Sequence, residues 1–507
     1  MPFGGCVGST AARPVATILL PAASVAGAGR GMVTQVRRER HDLSTVQAAV
    51  AAGHPATVEA GLEVLAEGGS AADAAIAAFL ASCVAETVMT GLLGGGHAIY
   101  YDAAAAQARN LDCFVAVPGL DAEPDRGAEL LELEVPFGTE LVHYIVGPAS
   151  CGVPGLPAGL AALHRAHGRL PWPRLVEPAQ RLAREGVEFS AQHAACLAML
   201  APVMTMNEGA RIYSPGGELL GPGSRLEQPG LVRALELLAD EGAGSAYDGS
   251  LAEALLALMQ KRDGLVTASD LAAYEARWSR PVELEYAGKR LLTRAGLAPL
   301  GAVLSSLPQL RGRAAGDRAV ALAQALDAPD RDGETTNLAV VDREGNACVL
   351  TTSLGLGSGD FLPGLDLHLN SMLGEIDLIR GPLEPGDRVE SMMSPTVALD
   401  HEGLALAAGA AGGTRLRSAL VQVLAGILDE RLSAADAVAR PRLHPVAGLV
   451  HLEPGFAGDA VATLEGAGFE VRSWPEQHHY FGGVSVVTRS GAAGDPRRSG
   501  AAAALPR

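Results

Sequence analysis

From Ala71 to Val84 the chain runs almost without a polar side chain, rich in alanine and preceded by Ser70. Ser70 is a strong helix N-cap, because its hydroxyl can accept from a backbone N–H that the first turn leaves unpaired. A helix that is apolar all round has no face to offer water, so it must be buried against something large. With 507 residues, 48% hydrophobic and 19% charged, the chain can supply that body, as two or three domains or as one large α/β unit.

The flanking pattern is helical first and strand-rich later. Thr57 to Leu65 is amphipathic and stops at Gly68-Gly69, and Gly91 to Gly96 turns into a short strand, Ala98 to Tyr101. Residues 120–148 read as acidic and irregular. Helices are expected at Gly155–Arg165 and Trp172–Gly186, and over most of Gln192–Met259. Thr267 or Ser269 caps a short helix through Tyr274, and strands follow at Val282–Tyr286 and Arg290–Thr293. A helix from Ala319 to Leu326 leads into a polar linker, Asp327–Glu334. Beyond Thr335 come strands near 338–352, 366–370, 395–399, 404–408, 449–453 and 483–488, with one helix at 415–429. No internal repeat is visible. This order predicts one layered body mixing α and β rather than separate modules.

At the junction, Thr335-Thr336 opens an apolar run to Val341, which turns at Gly345-Asn346 and returns as Ala347–Thr352. That is a β-hairpin beginning at a threonine. Such a threonine becomes catalytic if the chain is cut before it, because the freed α-amino group can then serve its hydroxyl as base. Further on, Gly409–Arg415 places a Gly-Gly turn at a helix start. Its backbone N–H groups suit a phosphate or a developing oxyanion. The Lys-Ser/Thr of a P-loop is missing, so nucleotide binding is not indicated.

Composition removes other classes. A formal charge of −18 argues against nucleic acid or an anionic membrane as partner. Lysine occurs only at Lys261 and Lys289, a bias expected of a GC-rich bacterial coding sequence. The cysteines at 6, 83, 113, 151, 196 and 348 show no C-x-x-C spacing, and His478-His479 has no third ligand at a fitting distance. Neither metal nor cofactor is therefore expected. Val15 to Ala28 loosely resembles a signal peptide, but Pro21 breaks it and Arg37–Arg40 follow, so a soluble cytoplasmic protein is favoured over an exported one. Met32 is an alternative start, with residues 1–31 as an extension.

Taken together, in order and spacing, these segments resemble the γ-glutamyltransferase (γ-glutamyltranspeptidase) family of N-terminal-nucleophile hydrolases. The likeness runs from about Ala51 to Gly500. It includes Gly53-His54-Pro55, Glu59-Ala60-Gly61, Gly68–Ala75, Thr90–Gly96, Val153-Pro154-Gly155, Asp270–Tyr274, Pro441–His444 and Asp495–Arg498. The resemblance implies an α+β fold, a four-layer αββα sandwich made as a proenzyme. Residues 1–45 would be a flexible extension, 46–334 a large subunit and 335–507 a small subunit produced by self-cleavage at Glu334-Thr335. Thr335 would be the nucleophile, with its own amino group as general base and its hydroxyl positioned by Thr351 or Ser353. Gly412 and Gly413 would form the oxyanion hole. A small-molecule amide and a water or amine acceptor are the implied partners, and a homodimer of the proenzyme is left open.

The family's substrate pocket is altered. Where an arginine grips the substrate α-carboxylate, the matching stretch Leu111–Pro118 carries Phe114, and a phenyl ring cannot make a bidentate carboxylate pair. An expected asparagine falls at or near Gly355, in a loop about two residues short. Asn370-Ser371-Met372-Leu373-Gly374-Glu375 replaces an Asn-Asn-x-Met-Asp-Asp segment, leaving Glu375 as the carboxylate for a substrate amino group. Ser391 and Met392 stand where paired serines are expected, and Arg415 is a candidate replacement for the missing arginine. These departures suggest an atypical subgroup acting on a different acyl group. Alternatives are a natural-product pathway hydrolase of a non-γ-glutamyl amide or of a C–C bond next to a carbonyl, and an uncleaved, non-catalytic homologue.

Overall fold

The computed structural model describes residues 17–19, 48–121, 130–137, 140–297, 300–327, 335–375, 378–413 and 415–506. The expected N-terminal extension lies almost wholly outside these residues, as do Glu334, most of the linker before it, Asp377 and Thr414.

Two antiparallel sheets lie face to face, a helical layer on the outside of each. The first, eight strands among the described residues, runs in the order 17–19, 501–504, 49–52, 336–341, 347–353, 95–102, 107–113 and 277–279. The second has the order 282–286, 289–293, 396–400, 403–411, 483–488 and 491–493. The period-two alternation of a strand explains the layering. In Thr336–Val341, Leu338 and Val340 join a cluster with the helices of the large N-terminal half. Ala339 and Val341 face the opposite way, into an inter-sheet core with Ala347, Val349, Val397 and Ala407. Many residues of this middle layer are alanines, which lets the sheets approach closely. Outside the second sheet, the helices Ala315–Leu326 and Arg415–Leu428 pack on Leu406, Ala408, Val484 and Val486. This is the expected αββα arrangement.

The apolar helix spans Ala71–Ala85, and every residue in it is buried. Ser70 and Asp73 close a capping box at its start. The hairpin of Thr336–Val341 and Ala347–Ser353 adds a further cap, because Ala71 N donates to Asp342 Oδ2 at 3.0 Å. Asp342 also organises the hairpin turn, where Asn346 N donates to its Oδ1 at 2.9 Å. Thr267 rather than Ser269 caps the short helix Ala268–Ala273.

Several expectations are corrected. The stretch 120–148 is not irregular throughout: Leu131–Phe137 and Glu140–Val146 form an antiparallel hairpin. Its Leu-Glu-Leu-Glu-Val alternation is a strand pattern hidden under an acidic composition. The strand expected at 366–370 is only the two residues Leu367–His368. Strands at Ala49–Ala52, Gln107–Cys113 and Ala501–Ala504 were not anticipated. Ala49–Ala52 and Ala501–Ala504 are short and alanine-rich, Gln107–Cys113 is largely polar, and sheet neighbours rather than local propensity decide them.

Candidate active site

Thr335 stands immediately before the strand Thr336–Val341 and is 4% exposed. The register fixes its neighbours. Thr336 pairs with Thr352, so Thr335 lies opposite Ser353 one residue beyond. Ser353 pairs with Gly95, and Gly96 pairs with Cys113, which sets Phe114 opposite Gly95. Thr335, Ser353, Gly95 and Phe114 therefore form one row across the end of the sheet, about 14 Å long at the usual strand spacing. The next row on the same face, two residues in, holds Asn337, Thr351, His97 and Asp112. Of the two hydroxyls considered for positioning Thr335, Ser353 is the one in its row. Thr351 is fully buried, and its Oγ1 has no hydrogen-bond partner among the described residues.

A small cavity of about 10 Å³ opens beside Thr335, lined by Gly53, Glu86, Met89, His193, Asn337, Ala411, Gly483–Ser485, Asp495 and Arg498 among others. Arg498 Nη1 donates to the Thr335 carbonyl at 3.2 Å, and Nη2 reaches the His479 carbonyl at 3.5 Å. A buried ionic cluster holds the turn that presents Arg498. Asp495 accepts from Arg442 Nη2 at 2.5 Å, from Arg497 Nη1 at 3.2 Å and from Val484 N at 2.9 Å. Arg497 Nε in turn meets Glu453 at 2.6 Å. On the helix side, Glu86 accepts from Thr336 Oγ1 at 2.5 Å and Thr57 Oγ1 at 2.6 Å. Burial pushes the Glu86 carboxyl above its ordinary range, opposed by those two hydroxyls and by Arg498.

The strand Gly403–Ala411 crosses the Thr336–Ser353 hairpin at Gly409, where a Cβ would come within 3.3 Å of Thr351 Oγ1. Its end, Ala411, lines the Thr335 cavity, and Gly412 and Gly413 follow with φ of +120° and +56°. A Cβ on Gly412 would lie 2.8 Å from Gly482 Cα. Both the backbone angle and the close approach therefore require glycine.

Phe114 is 1% exposed and, like Arg415, is not among the residues lining the Thr335 cavity. Its ring stacks on His97 with centroids 5.4 Å apart and planes at 13°, and it lies 3.1 Å from where a Gly95 Cβ would be. The ring thus lies over Gly95, along the row that ends at Thr335. Tyr274 Oη and Arg388 Nη1 both donate to the Phe114 carbonyl at 2.5 Å. Burial holds His97 well below the usual histidine range, and Arg294 and Arg388 add to the effect, so its ring is neutral. Met372 and Met392 belong to the same apolar cluster as Phe114.

The other expected residues fall in different settings. Gly355 has φ +69°, and a side chain there would meet Glu375 Oε1 at 2.6 Å, so the Glu375 carboxylate occupies the space an asparagine would fill. Asn370 is a structural clamp. Its amide donates to the Leu93 and Gly152 carbonyls at 2.9 Å and accepts from Gly152 N and Met372 N at 2.9 and 3.3 Å. Ser391 accepts from Met393 N through its hydroxyl and from Arg294 Nη1 through its carbonyl, at 3.2 and 2.7 Å. Arg415 sits with its guanidinium over the Tyr480 ring at 5.2 Å and is not among the residues lining the Thr335 cavity. His54 caps the helix Pro55–Ala66 through Nδ1 and stacks on His193 at 5.6 Å.

Glu86, Arg498, His193 and Arg294 were not anticipated as site residues. One sequence signal was available for Glu86: a lone carboxylate at the end of an all-apolar helix must be buried and so must have partners.

Chemically, the arrangement is a buried threonine hydroxyl at a strand head, a glycine turn nearby and a fixed carbonyl clamp, suited to acyl transfer. Comparison with known proteins agrees. The Gamma-glutamyltranspeptidase family model matches residues 57–322 and 313–505. The Acylase ACY 1 proenzyme of Pseudomonas sp. (strain SE83) is 27% identical over 517 residues, covering 89% of this chain and 91% of that protein. The Glutathione hydrolase proenzyme of Escherichia coli (strain K12) is 25% identical over 510 residues, covering 85% and 87%. In fold, the chain is similar to the crystal structure of cephalosporin acylase from Bacillus halodurans, with TM-score 0.77, 22% identity and coverage of 94% and 99%. The chain belongs to the gamma-glutamyltranspeptidase family and is an N-terminal-nucleophile hydrolase or acyltransferase.

Proposed function

We propose that the chain is a self-cleaving threonine acylase whose acyl pocket is built for a group other than γ-glutamyl. Thr335 Oγ attacks the Glu334 carbonyl, the chain passes through an ester at Thr335, and water releases a large subunit (46–334, preceded by the 1–45 extension) and a small subunit (335–507). In the mature enzyme the same hydroxyl attacks the substrate amide, its proton passing to the freed α-amino group and from there to the leaving amine. The backbone N–H groups of Gly412 and Gly413 receive the oxyanion, a contribution on the order of 3–4 kcal/mol in such sites. Water or an amine then resolves acyl-Thr335. The observation that carries this reading is the placement of Thr335: buried, at the head of a central strand, in register with Ser353, and tied by its carbonyl to Arg498.

The altered pocket rests on Phe114. In the row leading away from Thr335, a neutral aromatic stack of Phe114 on His97 stands where a carboxylate-binding guanidinium would be needed. That buried stack offers no charged partner to a substrate carboxylate, which favours an uncharged, apolar acyl group, as in an acylase. The relative named a glutathione hydrolase supports γ-glutamyl chemistry instead. Denaturing electrophoresis tests the cleavage: two bands are expected in place of the 51.8 kDa chain, and Thr335→Ala should leave one. Turnover of γ-glutamyl-p-nitroanilide and phenylacetyl-p-nitroanilide then separates the substrates. Preference for the phenylacetyl amide is expected, and a cleaved wild type that prefers the γ-glutamyl amide would overturn the pocket assignment.

A further inference from the structure

A cut before Thr335 turns an interior residue into a chain end, and chain ends fray unless something ties them down. A nucleophile cannot tolerate that freedom, because misplacement by ~1 Å can cost about a hundredfold in rate. The strand ladder starts only at Thr336. Two side chains, one from each subunit, hold the first two residues of the new end. Arg498, from the small subunit, holds the Thr335 carbonyl at 3.2 Å. Glu86, from the large subunit, holds the Thr336 hydroxyl at 2.5 Å.

Glu86 is a costly choice for mere packing. It is 2% exposed and follows directly on the helix Ala71–Ala85, whose carbonyl end disfavours a negative charge. A buried carboxylate needs compensation, which comes from Thr336, from Thr57 at 2.6 Å and from Arg498. Space for it is kept by Gly53, where any Cβ would collide with Glu86 Oε2. Glu86 and Gly53 both line the cavity that contains Thr335.

We propose that Glu86 is a positioning residue for the nucleophile, the large-subunit anchor that fixes the new N-terminus of the small subunit through Thr336. The proposal rests on the reading of Thr335 as nucleophile. A probe that ignores acyl specificity tests it: p-nitrophenyl acetate, followed by p-nitrophenolate release and by the mass of the small subunit. In this reaction a Thr335 Oγ–acetyl bond forms, the ester C–O bond breaks, and the hydroxyl proton passes to the α-amino group.

Glu86→Ala and Thr336→Val should each slow acetylation of the cleaved enzyme by about ten- to a hundredfold, with KM within roughly twofold. The double variant should be no slower than the worse single, since both remove one contact. Asp73→Asn, at the far end of the same helix, should lower stability without changing the acetylation rate. If both anchor variants acetylate at the wild-type rate while Thr335→Ala does not react, the anchor is wrong and the nucleophile stands. If Asp73→Asn slows the reaction as much at equal loss of stability, the role of Glu86 is structural and the proposal falls. If wild-type Thr335 takes no acetyl group, the nucleophile reading fails and takes the anchor with it. Should Glu86→Ala not fold, Thr336→Val, which removes one hydroxyl, decides alone.

Discussion

Gly412 combines a φ of +120° with a backbone approach that leaves 2.8 Å between a would-be Cβ and Gly482 Cα. Alanine there must move either the turn or the Gly482 backbone, so Gly412→Ala should lower kcat by about 10²–10³, the loss seen when one oxyanion donor is removed. Gly458→Ala, where a Cβ meets nothing within 4 Å, serves as the control and should leave kcat unchanged. Thr335 itself could be singled out in the sequence because its hairpin, its glycine turn and the spacing of the flanking motifs all point to it. Its partners could not. Ser353 becomes the neighbour of Thr335 only through strand register, and Thr351, two residues earlier, reads equally well without it. Asn370 was legible as part of a motif, yet its amide contacts the loops at Leu93 and Gly152, far away in sequence. No local pattern announces such a clamp.

At the scale of elements, three buried histidines tie segments together in their neutral form. His54 caps the helix Pro55–Ala66, His193 lies on Ala191–Met204 beside the cavity, and His368 stacks on Phe361 at 4.1 Å. Burial pushes them down from 6.5, His54 to about 4 and both His193 and His368 to about 3. The unfolded chain therefore binds more protons than the folded one between these values and 6.5. Stability is fully present above pH 6.5 and is lost as pH falls toward 4. Thermal unfolding followed from pH 7.5 to 4 should show Tm dropping over that window, and His193→Gln should flatten the slope by about one proton. Among the elements, the capped apolar helix was readable almost to the residue, because cap chemistry and hydrophobicity are local. The hairpin Leu131–Val146 was missed because its glutamates mask a period-two pattern.

Across the whole molecule, the first sheet interleaves the two halves of the chain. The strand Ala49–Ala52 lies between Ala501–Ala504 and Thr336–Val341, and Ala347–Ser353 pairs with Gly95–Asp102. A cut at residue 334 would therefore sever the backbone without dividing the hydrogen-bonded body. The cleaved subunits should co-elute as one species on native gel filtration and separate only under denaturing conditions. The knot of Arg442, Asp495, Arg497 and Glu453 carries the turn that presents Arg498, and all four residues are at most 3% exposed. Removing one partner leaves an uncompensated buried charge, so Arg497→Met should destabilise the protein by about 3–5 kcal/mol. Differential scanning calorimetry against wild type measures that loss.

By itself the sequence determined the class of fold, the hairpin that bears Thr335, the glycine turn at Gly412-Gly413 and the departure at Phe114. The hairpin and the glycine turn depend on local propensity and turn chemistry written in neighbouring residues, while the αββα layering and the departure at Phe114 were legible through the resemblance to the γ-glutamyltransferase family. Only the tertiary structure decided what surrounds them: Ser353 opposite Thr335, Glu86 on Thr336 and Arg498 on Thr335, Phe114 stacked on His97, and Arg415 turned toward Tyr480. Those contacts join segments up to several hundred residues apart, and sheet register, which no local signal encodes, sets which of them meet.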